Sequence, residues 1–597
     1  MVDPIDLEKE LHLMRTVWPI LRYIEDKFVF MLDHGPLHAD RVKRIATQMS
    51  YLLGLTSLER SFLRAAAIVH DIGMSKGGED KGEEEVRYSH QEWIREILRD
   101  LVDRGELQLN TKQVDLIADI AEKHSKPYDS TTEIQSRNGS KIRTGLLGAT
   151  LRVADAMDMD QRRTPNFNER RPILERDRPE QLKYHESAAA IKGIKLICEG
   201  NFPSIQVFTE NPRLAQYHIS ELSRELSETP MPWPITVFNL TEKKDYHYYQ
   251  IPGHIKKALI CAYCNPHGII MAALSKNNLV RRGIEADICC SYKETGNLEK
   301  FWKECFPVLR NKTYNLYVFA GLPIEIEDPH RTVKELTPLL KSGKAIYYCH
   351  YLERSFEALQ EFIKNGIKVG IGDAWSAFIS ETPTLEDLYW ARIAALITRD
   401  RSLLPILKTQ QGESLLKGIL YVFHQAVNEE SNQLIEEMIM NICDDNKDYF
   451  IRESKSWDHL CRNITDKAQK ILENRGKVLY IEAAQNLNIK ARTLYRVLDE
   501  IMMQLGAGEY EKDVTLKYPY IIAKYKRPDG KIQVLFQSCW RVEGLIPIKF
   551  FSKTGEDLLI SGDHTIWILF SSDEEAKKTI DETIDKINRK NSILKGF

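Results

Sequence analysis

The chain has 597 residues, of which 43% are hydrophobic and 28% charged, and its formal net charge is −3. This length allows several domains, and the composition is typical of a soluble globular protein. The net charge excludes a polycation that coats nucleic acid, although it allows a local basic channel. No stretch approaches the roughly 20 apolar residues of a membrane helix, and the acidic N-terminus lacks an apolar signal core. We therefore expect a cytoplasmic protein that does not bind membranes.

The first region, residues 1–235, is predicted to be an all-α bundle. The run SFLRAAAIV before His70 is rich in Ala and aliphatic residues, and Gly73 is expected to stop this helix. Apolar residues also recur at helical spacing in QEWIREILRDLV, TKQVDLIADIAEKH and GLLGATLRVADAMD. The period changes in IKGIKLICEGNFPSIQVF, which predicts a small β-hairpin insert.

The second region, residues 250–400, alternates strand-like and helical runs. KALICAY, YNLYVFA, KAIYYC and KVGIG are predicted strands, and SFEALQEFIKNG is a predicted helix. This alternation indicates an α/β domain with a parallel sheet. Cys261 and Cys264 form a C-x-x-C here, but no second pair lies at zinc-ribbon spacing. Buried or incidental thiols are therefore expected rather than metal ligands.

Two further regions complete the chain. Residues 401–512 are predicted to be a helical linker, in which YIEAAQNLNIKARTLYRVLDEIM resembles a helix-turn-helix. Residues 513–597 mix strand-like runs with a final amphipathic helix, which predicts a small α+β domain. The fold class is thus multidomain.

Histidine and aspartate residues recur near the ends of the predicted helices of the first region. They are His34, His38, His70, Asp71, His90, His124 and Asp155. A helix bundle can direct several such side chains into one cavity, and imidazole with carboxylate suits divalent metals better than thiolate sites do. His70 and Asp71 would diverge by about 100° within a helix, so they face one ion only if the helix ends there. His34 taken alone more often caps a helix than binds a metal.

Three segments of this region, HADRV, HDIG and RVADAMD, resemble the signature segments of the HD phosphohydrolase superfamily, and the resemblance covers about residues 25–235. It implies core metal ligands at His38, His70, Asp71 and Asp155. It also implies that His90 and His124 are the extra ligands of two-metal members. One or two divalent ions (Mn, Fe, Co, Ni, Zn or Mg) are the implied cofactors.

The sequence matches the HD-GYP group of this superfamily less well. Ser125 follows His124 where the HD-GYP group has a second His, and no G-Y-P signature appears. Cyclic di-GMP specificity is therefore not expected. The segment GIKLICEGNFPSIQVF is more similar to the HD variant of bacterial conflict and stress systems.

Basic residues near these segments are candidates for contact with a substrate phosphate. Arg41 lies one helical turn after His38 and Lys123 precedes His124, and we assign both, with Asp71, to catalysis. Arginine suits bidentate phosphate recognition. The candidates for substrate binding are Arg152, Arg162 and Arg163. Acidic residues are interleaved after Asp155, so a solvated charged loop is the alternative for that segment.

Residues 250–400 and 515–590 resemble a second phosphoesterase family, DHH/DHHA1, in pattern but not in ligands. Tyr263, Asn265 and His267 replace the His and two Asp of its first motif, while Gly268 remains. A later strand ends in Ala320 and Gly321 instead of Asp, and Cys349, His350 and Tyr351 stand in place of D-H-H. The positions that keep the family's residue are Asp400 and, in the segment matching the G-G-H motif, Gly562 and His564. The resemblance therefore implies an inactive DHH-like half.

These features predict a metal-dependent phosphohydrolase that cleaves phosphoesters in a nucleotide or nucleic acid at the HD site. The DHH-like half would bind substrate, sense a signal or build a homo-oligomer. The alternative is a non-catalytic regulatory protein that binds nucleotides or nucleic acid. A third hypothesis is a defence effector whose HD activity is released by a trigger.

Overall fold

The computed structural model describes most of the first 291 residues and selected segments beyond them. The described residues are 3–28, 30–76, 86, 89–125, 128–129, 131–135, 141–199, 202–231, 233–241, 255–291, 314–320, 334, 336–339, 341, 345–350, 368–371, 384–397, 409–429, 431–468, 472–475, 478–483, 519–526, 530–539, 558–561 and 565–591. Those within 1–263, 270–290 and 307–405 form one compact unit, and those within 264–269, 291–306 and 406–597 form another. In this described part, no helix is both long and apolar enough to cross a bilayer.

The N-terminal part of the first unit is a helix bundle. Its helices are α1 (Leu7–Lys27), α2 (Pro36–Leu52), α3 (Ser57–Val69), α4 (Ile94–Asp103), α5 (Thr111–Glu122), α6 (Thr144–Met157), α7 (Phe167–Asp177), α8 (Pro179–Ala190) and α9 (Pro212–Ser227). Local sequence explains where they begin: Thr56 with Glu59 forms a capping box at α3, and Asn110 with Gln113 forms one at α5. The apolar faces of α2, α3, α5 and α6 pack together in one core.

An eight-stranded sheet follows the bundle within the same unit. Its strands are β3 (Ile191–Glu199), β4 (Phe202–Thr209), β5 (Ile235–Asn239), β6 (Lys257–Tyr263), β7 (Glu285–Ser291), β8 (Leu316–Ala320), β9 (Ala345–His350) and β10 (Lys368–Ile371), in the order β5-β4-β3-β10-β9-β8-β6-β7. A separate two-stranded sheet precedes them, made of β1 (Ile134–Gln135) and β2 (Lys141–Ile142). The helices α10 (Pro266–Arg281) and α11 (Leu385–Ile397) follow β6 and β10 in sequence.

The sheet confirms one prediction and corrects another. Strands β6, β8, β9 and β10 lie parallel, as the alternation of the second region predicts. The predicted hairpin is present as antiparallel β3 and β4. It is not a small insert in an all-α bundle, however, because β3 also pairs antiparallel with β10. An unpaired edge of β3 would expose backbone donors and acceptors. Strand β10 forms hydrogen bonds with this edge, so the bundle and the α/β region share one sheet.

The second unit combines helices with a six-stranded sheet. The helices are α12 (Gln410–Asn428), α13 (Asn432–Cys443), α14 (Lys447–Ala468) and α15 (Asp573–Asn591). The strands are β11 (Leu472–Arg475), β12 (Val478–Ala483), β13 (Tyr520–Lys526), β14 (Ile532–Ser538), β15 (Leu558–Ser561) and β16 (Thr565–Phe570), in the order β11-β12-β13-β14-β16-β15. The final helix α15 packs on β14 and β16, as expected for an α+β domain.

The predicted helical linker is wrong at residues 472–475 and 478–483. Strands β11 and β12 lie within residues 401–512, and β12 pairs parallel with β13. The predicted helix-turn-helix begins at Tyr480, which lies inside β12. The run VLYI forms a strand because its β-branched and aromatic residues favour β-structure. The rest of that motif lies outside the described residues, as does the predicted helix SFEALQEFIKNG.

Candidate metal centre

The end of α3 determines how His70 and Asp71 are presented. The helix ends at Val69, His70 caps it, and a 3₁₀ turn follows over Ile72–Lys76. The sequence prediction that the helix stops here is confirmed. Nδ1 of His70 lies 2.9 Å from the carbonyl oxygen of Ala67, so this nitrogen carries the proton and Nε2 is left to face the site. Because the chain leaves the helix at His70, Asp71 can turn to the same side.

His38 and Asp155 approach from two other helices. His38 lies in the first turn of α2, which begins at Pro36, and it is completely buried. Asp155 lies in the last turn of α6, and its side chain is 32% exposed. Nε2 of His38 lies 3.2 Å from Nε2 of His70 and 3.2 Å from Oδ1 of Asp155. The helix bundle therefore brings together three side chains that are far apart in sequence.

His90 and His124 lie in two short 3₁₀ turns, His90–Trp93 and Lys123–Ser125. Nδ1 of His124 contacts the carbonyl oxygen of Ala121, which again leaves Nε2 for the site. Nε2 of His90 lies 3.6 Å from Oδ1 of Asp71. The ligand atoms of Asp71, His90 and His124 all lie within 4.8 Å of one another, as do those of His38, His70 and Asp155.

These spacings fit one or two divalent ions. Ligand atoms about 2.1 Å from a metal lie about 3.0 Å apart in an octahedron and about 3.4 Å apart in a tetrahedron. The atoms of His38, His70 and Asp155 are separated by 3.2 to 3.8 Å. Oδ2 of Asp71 lies 3.4 Å and 3.3 Å from Nε2 of His38 and His70, while its Oδ1 faces His90. Asp71 thus lies between the two groups, where a bridging carboxylate would be needed.

A buried oxygen gives a second indication that the site suits a cation. Oδ2 of Asp71 makes no hydrogen bond within the described residues, although it is shielded from solvent. A buried carboxylate oxygen without a hydrogen bond carries a desolvation cost that bound metal would offset. The donor set, four imidazoles and two carboxylates, suits Mn, Fe, Co, Ni or Zn, and Mg less well.

Burial and mutual charge shift the pKa values of these groups. Burial and the charge of Arg163 lower the pKa of His38, but contacts with Asp155, Asp158 and Asp71 raise it to about 10. Burial raises the pKa of Asp71, yet the charges of His70 and His34 lower it well below the usual range. Burial and the neighbouring His70 and His90 lower the pKa of His124 to about 4. The carboxylates are therefore held in the ionised form that a metal requires.

The basic residues predicted to contact substrate lie in different surroundings. Arg41 is 1% exposed and its guanidinium donates to Asp158 and Asp33. Two of its three nitrogens, Nε and Nη2, thus already pair with carboxylates, and its contact with a substrate phosphate stays a prediction. Arg152 pairs with Glu225 and Glu228, and its role in substrate binding likewise stays a prediction.

The remaining predicted contacts lie closer to the candidate ligands or pair with a neighbouring carboxylate. Arg163 donates from Nη1 to the carbonyl oxygen of Asp158, and the same nitrogen lies 3.7 Å from Oδ1 of Asp155. Arg162 pairs with Asp160, and Lys123 pairs with Asp119. His34 lies 3.4 Å from Nη2 of Arg163 through Nε2, so it belongs to the rim of the site rather than to a helix cap.

Sequence reasoning missed Asp158. It caps the C-terminus of α6 and is completely buried, and its Oδ2 lies 2.7 Å from Nδ1 of His38. The spacing offered a signal, because Asp158 follows Asp155 by three residues and thus lies near it at the end of the helix. Sequence could not show that its carboxylate meets His38, which is 120 residues away.

The DHH-like positions do not assemble a metal site in the described residues. Tyr263 ends β6, and Oδ1 of Asn265 accepts a hydrogen bond from the backbone N–H of Gly268 at the start of α10. His267 is buried, Ala320 ends β8, and His350 ends β9. Cys261 and Cys264 are both buried, in agreement with the expectation of buried thiols. The positions Gly321, Tyr351, Asp400, Gly562 and His564 lie outside the described residues.

Residues 24–228 match a family model described as HD-CE, which covers a minority of the chain but includes all three HD-like segments. No curated protein matches the chain. RecJ from Thermus thermophilus in complex with Mn2+ is similar at a TM-score of 0.32 and 13% identity, over 56% of this chain and 52% of that one. The chain thus spans about half the length of that structure.

Two further solved structures are similar at the same level. An exopolyphosphatase-related protein from Bacteroides fragilis has a TM-score of 0.30 and 9% identity, over 56% of this chain and 93% of that one. CDC45 from Entamoeba histolytica has a TM-score of 0.30 and 7% identity, over 55% of this chain and 95% of that one. Similarity this weak carries no functional argument.

Proposed function

We propose that the chain is a metal-dependent phosphohydrolase of the HD type, which cleaves phosphoesters in a nucleotide or nucleic acid. One observation carries the proposal: six imidazole and carboxylate side chains from separate elements converge with the spacing of metal ligands. His38, His70 and Asp155 would hold one divalent ion, His90 and His124 a second, and Asp71 both. When bound, such ions polarise a phosphoryl oxygen and lower the pKa of water toward neutrality.

The protein side chains have separate roles in this proposal. The carboxylate of Asp71 orients the attacking water or accepts its proton. Arg163 contacts a non-bridging phosphate oxygen, since its guanidinium already lies beside Asp155. Lys123 pairs with Asp119, and Arg162 pairs with Asp160. If substrate draws them away from these carboxylates, Lys123 adds positive charge beside His124 and Arg162 adds it beside Arg163. Arg41 acts indirectly through Asp158.

Access to the site supports a substrate that presents an extended phosphate. The side chains of His38, His70 and Asp71 are 0 to 6% exposed, whereas that of Asp155 is 32% exposed. A phosphate would therefore approach past Asp155, on the side where Arg163 lies. Phosphoesters of nucleotides or of a nucleic-acid strand can reach such a recessed site while the base and sugar remain outside. The DHH-like half, which lacks the carboxylates of its family's motif, would then bind substrate, sense a signal or mediate assembly.

Metal removal and restoration test the proposal. The full chain is stripped of metal with a chelator, supplied separately with Mn, Co, Ni or Mg, and assayed on nucleotides, cyclic nucleotides and oligonucleotides. We expect at least one metal to restore phosphate-ester cleavage, and Asp71→Ala to lower the rate roughly 100-fold or more. Asp115→Ala is the matched control, because Asp115 pairs with Arg95 and Arg99 on the surface of the bundle.

The outcomes separate the enzyme from its alternative. Metal-dependent cleavage lost in Asp71→Ala and kept in Asp115→Ala supports the proposal. Metal binding with no cleavage of any substrate would instead favour a non-catalytic protein that binds nucleotides or nucleic acid.

A further inference from the structure

A buried chain of alternating charges lies behind His38. Oδ2 of Asp158 lies 2.7 Å from Nδ1 of His38, and Oδ1 of Asp158 accepts a 2.7 Å hydrogen bond from Nε of Arg41. Nη2 of Arg41 donates at 2.8 Å to Oδ2 of Asp33. The side chains of His38 and Asp158 are 0% exposed, that of Arg41 is 1% exposed and that of Asp33 is 8% exposed. We call these four residues the Asp158 chain.

The Asp158 chain joins the two helix ends that carry candidate ligands. Asp158 caps the C-terminus of α6, three residues after Asp155. Asp33 accepts a hydrogen bond from the backbone N–H of Gly35, the residue that caps the N-terminus of α2. The Asp158 chain therefore fixes the start of α2, and with it His38, relative to the end of α6.

The two oxygens of Asp158 also determine which nitrogen of His38 faces the site. A carboxylate oxygen only accepts hydrogen bonds, so Nδ1 of His38 donates to it and carries the proton. In the neutral imidazole that binds metal, Nε2 is therefore the unprotonated nitrogen, and it points toward His70, Asp71 and Asp155. Only this tautomer offers Nε2 to a metal, and a hydrogen bond to the other ring nitrogen is what selects it.

We propose that Asp158 is a positioning residue, which with Arg41 and Asp33 holds His38 in the tautomer and orientation that binds metal. The inference rests on the metal site proposed above but concerns residues that touch neither metal nor substrate. Asparagine cannot replace Asp158. Nε of Arg41 lies 2.7 Å from Oδ1 and 3.0 Å from Oδ2 of Asp158. An amide NH2 in the Oδ1 position would face this donor, and one in the Oδ2 position would face Nδ1 of His38, which moves the ring proton to Nε2 and blocks the metal-facing atom.

Cobalt binding by the full-length chain tests this role without measuring activity. The dissociation constant for Co2+ is measured by calorimetry, and the visible absorption of bound Co2+ reports the ligand geometry. We expect Asp158→Asn to raise the dissociation constant roughly 10- to 100-fold, the usual effect of removing a residue that orients a ligand, and to change the absorption spectrum. Asp33→Asn, which is two links further from His38, is expected to raise it less.

Asp387→Asn is the matched control, because Asp387 is buried and accepts from Arg281 with both oxygens but lies outside the Asp158 chain. The proposal is supported if the affinity for Co2+ falls most in Asp158→Asn, less in Asp33→Asn and least in Asp387→Asn. Equal dissociation constants and spectra in the folded variants overturn it. If Asp158→Asn does not fold, by circular dichroism, an Asp33→Asn variant that binds like Asp387→Asn overturns it as well. A wild-type chain that binds no Co2+ would refute the metal site itself, which is a separate failure.

Discussion

Arg163 is positioned to connect the candidate metal centre with a bound anion. Its Nη1 atom donates to the carbonyl oxygen of Asp158 and lies 3.7 Å from Oδ1 of Asp155. Its Nε atom is buried and makes no hydrogen bond within the described residues. A planar guanidinium can keep the backbone contact with one edge and offer donors to a phosphate oxygen with another. We therefore expect a substrate phosphate to lie beside Arg163.

Replacement of Arg163 tests that role. We expect Arg163→Gln to lower kcat/KM roughly 10- to 100-fold, since a hydrogen bond to a charged group is worth about 1.5–3 kcal/mol. Steady-state kinetics on the best substrate of the metal-restored enzyme measure the change. Arg176→Gln is the control, because Arg176 is highly exposed and pairs with Asp177. Equal kinetics in the two variants would mean that Arg163 does not contact substrate.

Short 3₁₀ turns, rather than long helices, carry His90 and His124, and another such turn follows directly after Asp71. Gly73 lies in the turn that follows Asp71, and a Cβ atom built on it would lie 1.8 Å from the carbonyl oxygen of His90. The contact is between backbones, so no side chain can move aside to relieve it. Only glycine lets the turn after Asp71 pass this close to the turn that presents His90.

Gly73→Ala is therefore expected to separate His90 from Asp71. The added methyl group must displace residues near His90, at a cost of about 1–3 kcal/mol in the free energy of unfolding. Metal content should fall, with the ion shared by Asp71, His90 and His124 lost first. Elemental analysis and denaturant unfolding measure the two effects. Ser75→Ala, a change in the same turn that removes only a hydroxyl bonded to Ile72, should keep the metal. Unchanged metal content in Gly73→Ala would contradict the argument.

At the scale of the whole molecule, the candidate centre links distant parts of the chain. Its residues run from His38 on α2 to Asp155 on α6, and they reach the site through five different helices and turns. A bound ion would cross-link these elements only in the folded state. Binding free energy at this site would therefore add to the free energy of unfolding.

Metal should raise the thermal midpoint of the full chain. At 100 times the dissociation constant, binding adds about 2.7 kcal/mol, and chelation should reverse the rise. The rise should be smaller at about pH 6 than at about pH 8, because imidazole binds metal only after losing its proton and the neighbouring carboxylates raise the pKa of His38 to about 10. Calorimetric scans measure the midpoint. His70→Ala should abolish the rise, and an equal rise in that variant would place the metal elsewhere.

The sequence by itself determined the parts of this protein that depend on local pattern. Gly73 predicts that α3 ends before it, and this geometry lets adjacent His70 and Asp71 face one site. The alternation of short apolar runs likewise predicts the parallel strands β6, β8, β9 and β10. Periodicity and chain-breaking residues act over a few positions, so a single sequence displays them.

Only the tertiary structure decided which distant groups meet. It paired Asp158 with His38 and Arg41 across more than 100 positions, and it occupied Arg41 and Arg152 with carboxylates where the sequence suggested phosphate contacts. It also joined β3 to β10, so that a predicted hairpin insert became part of an eight-stranded sheet. A charged side chain or a free strand edge has many eligible partners along a chain, and burial selects among them only once the whole fold has formed.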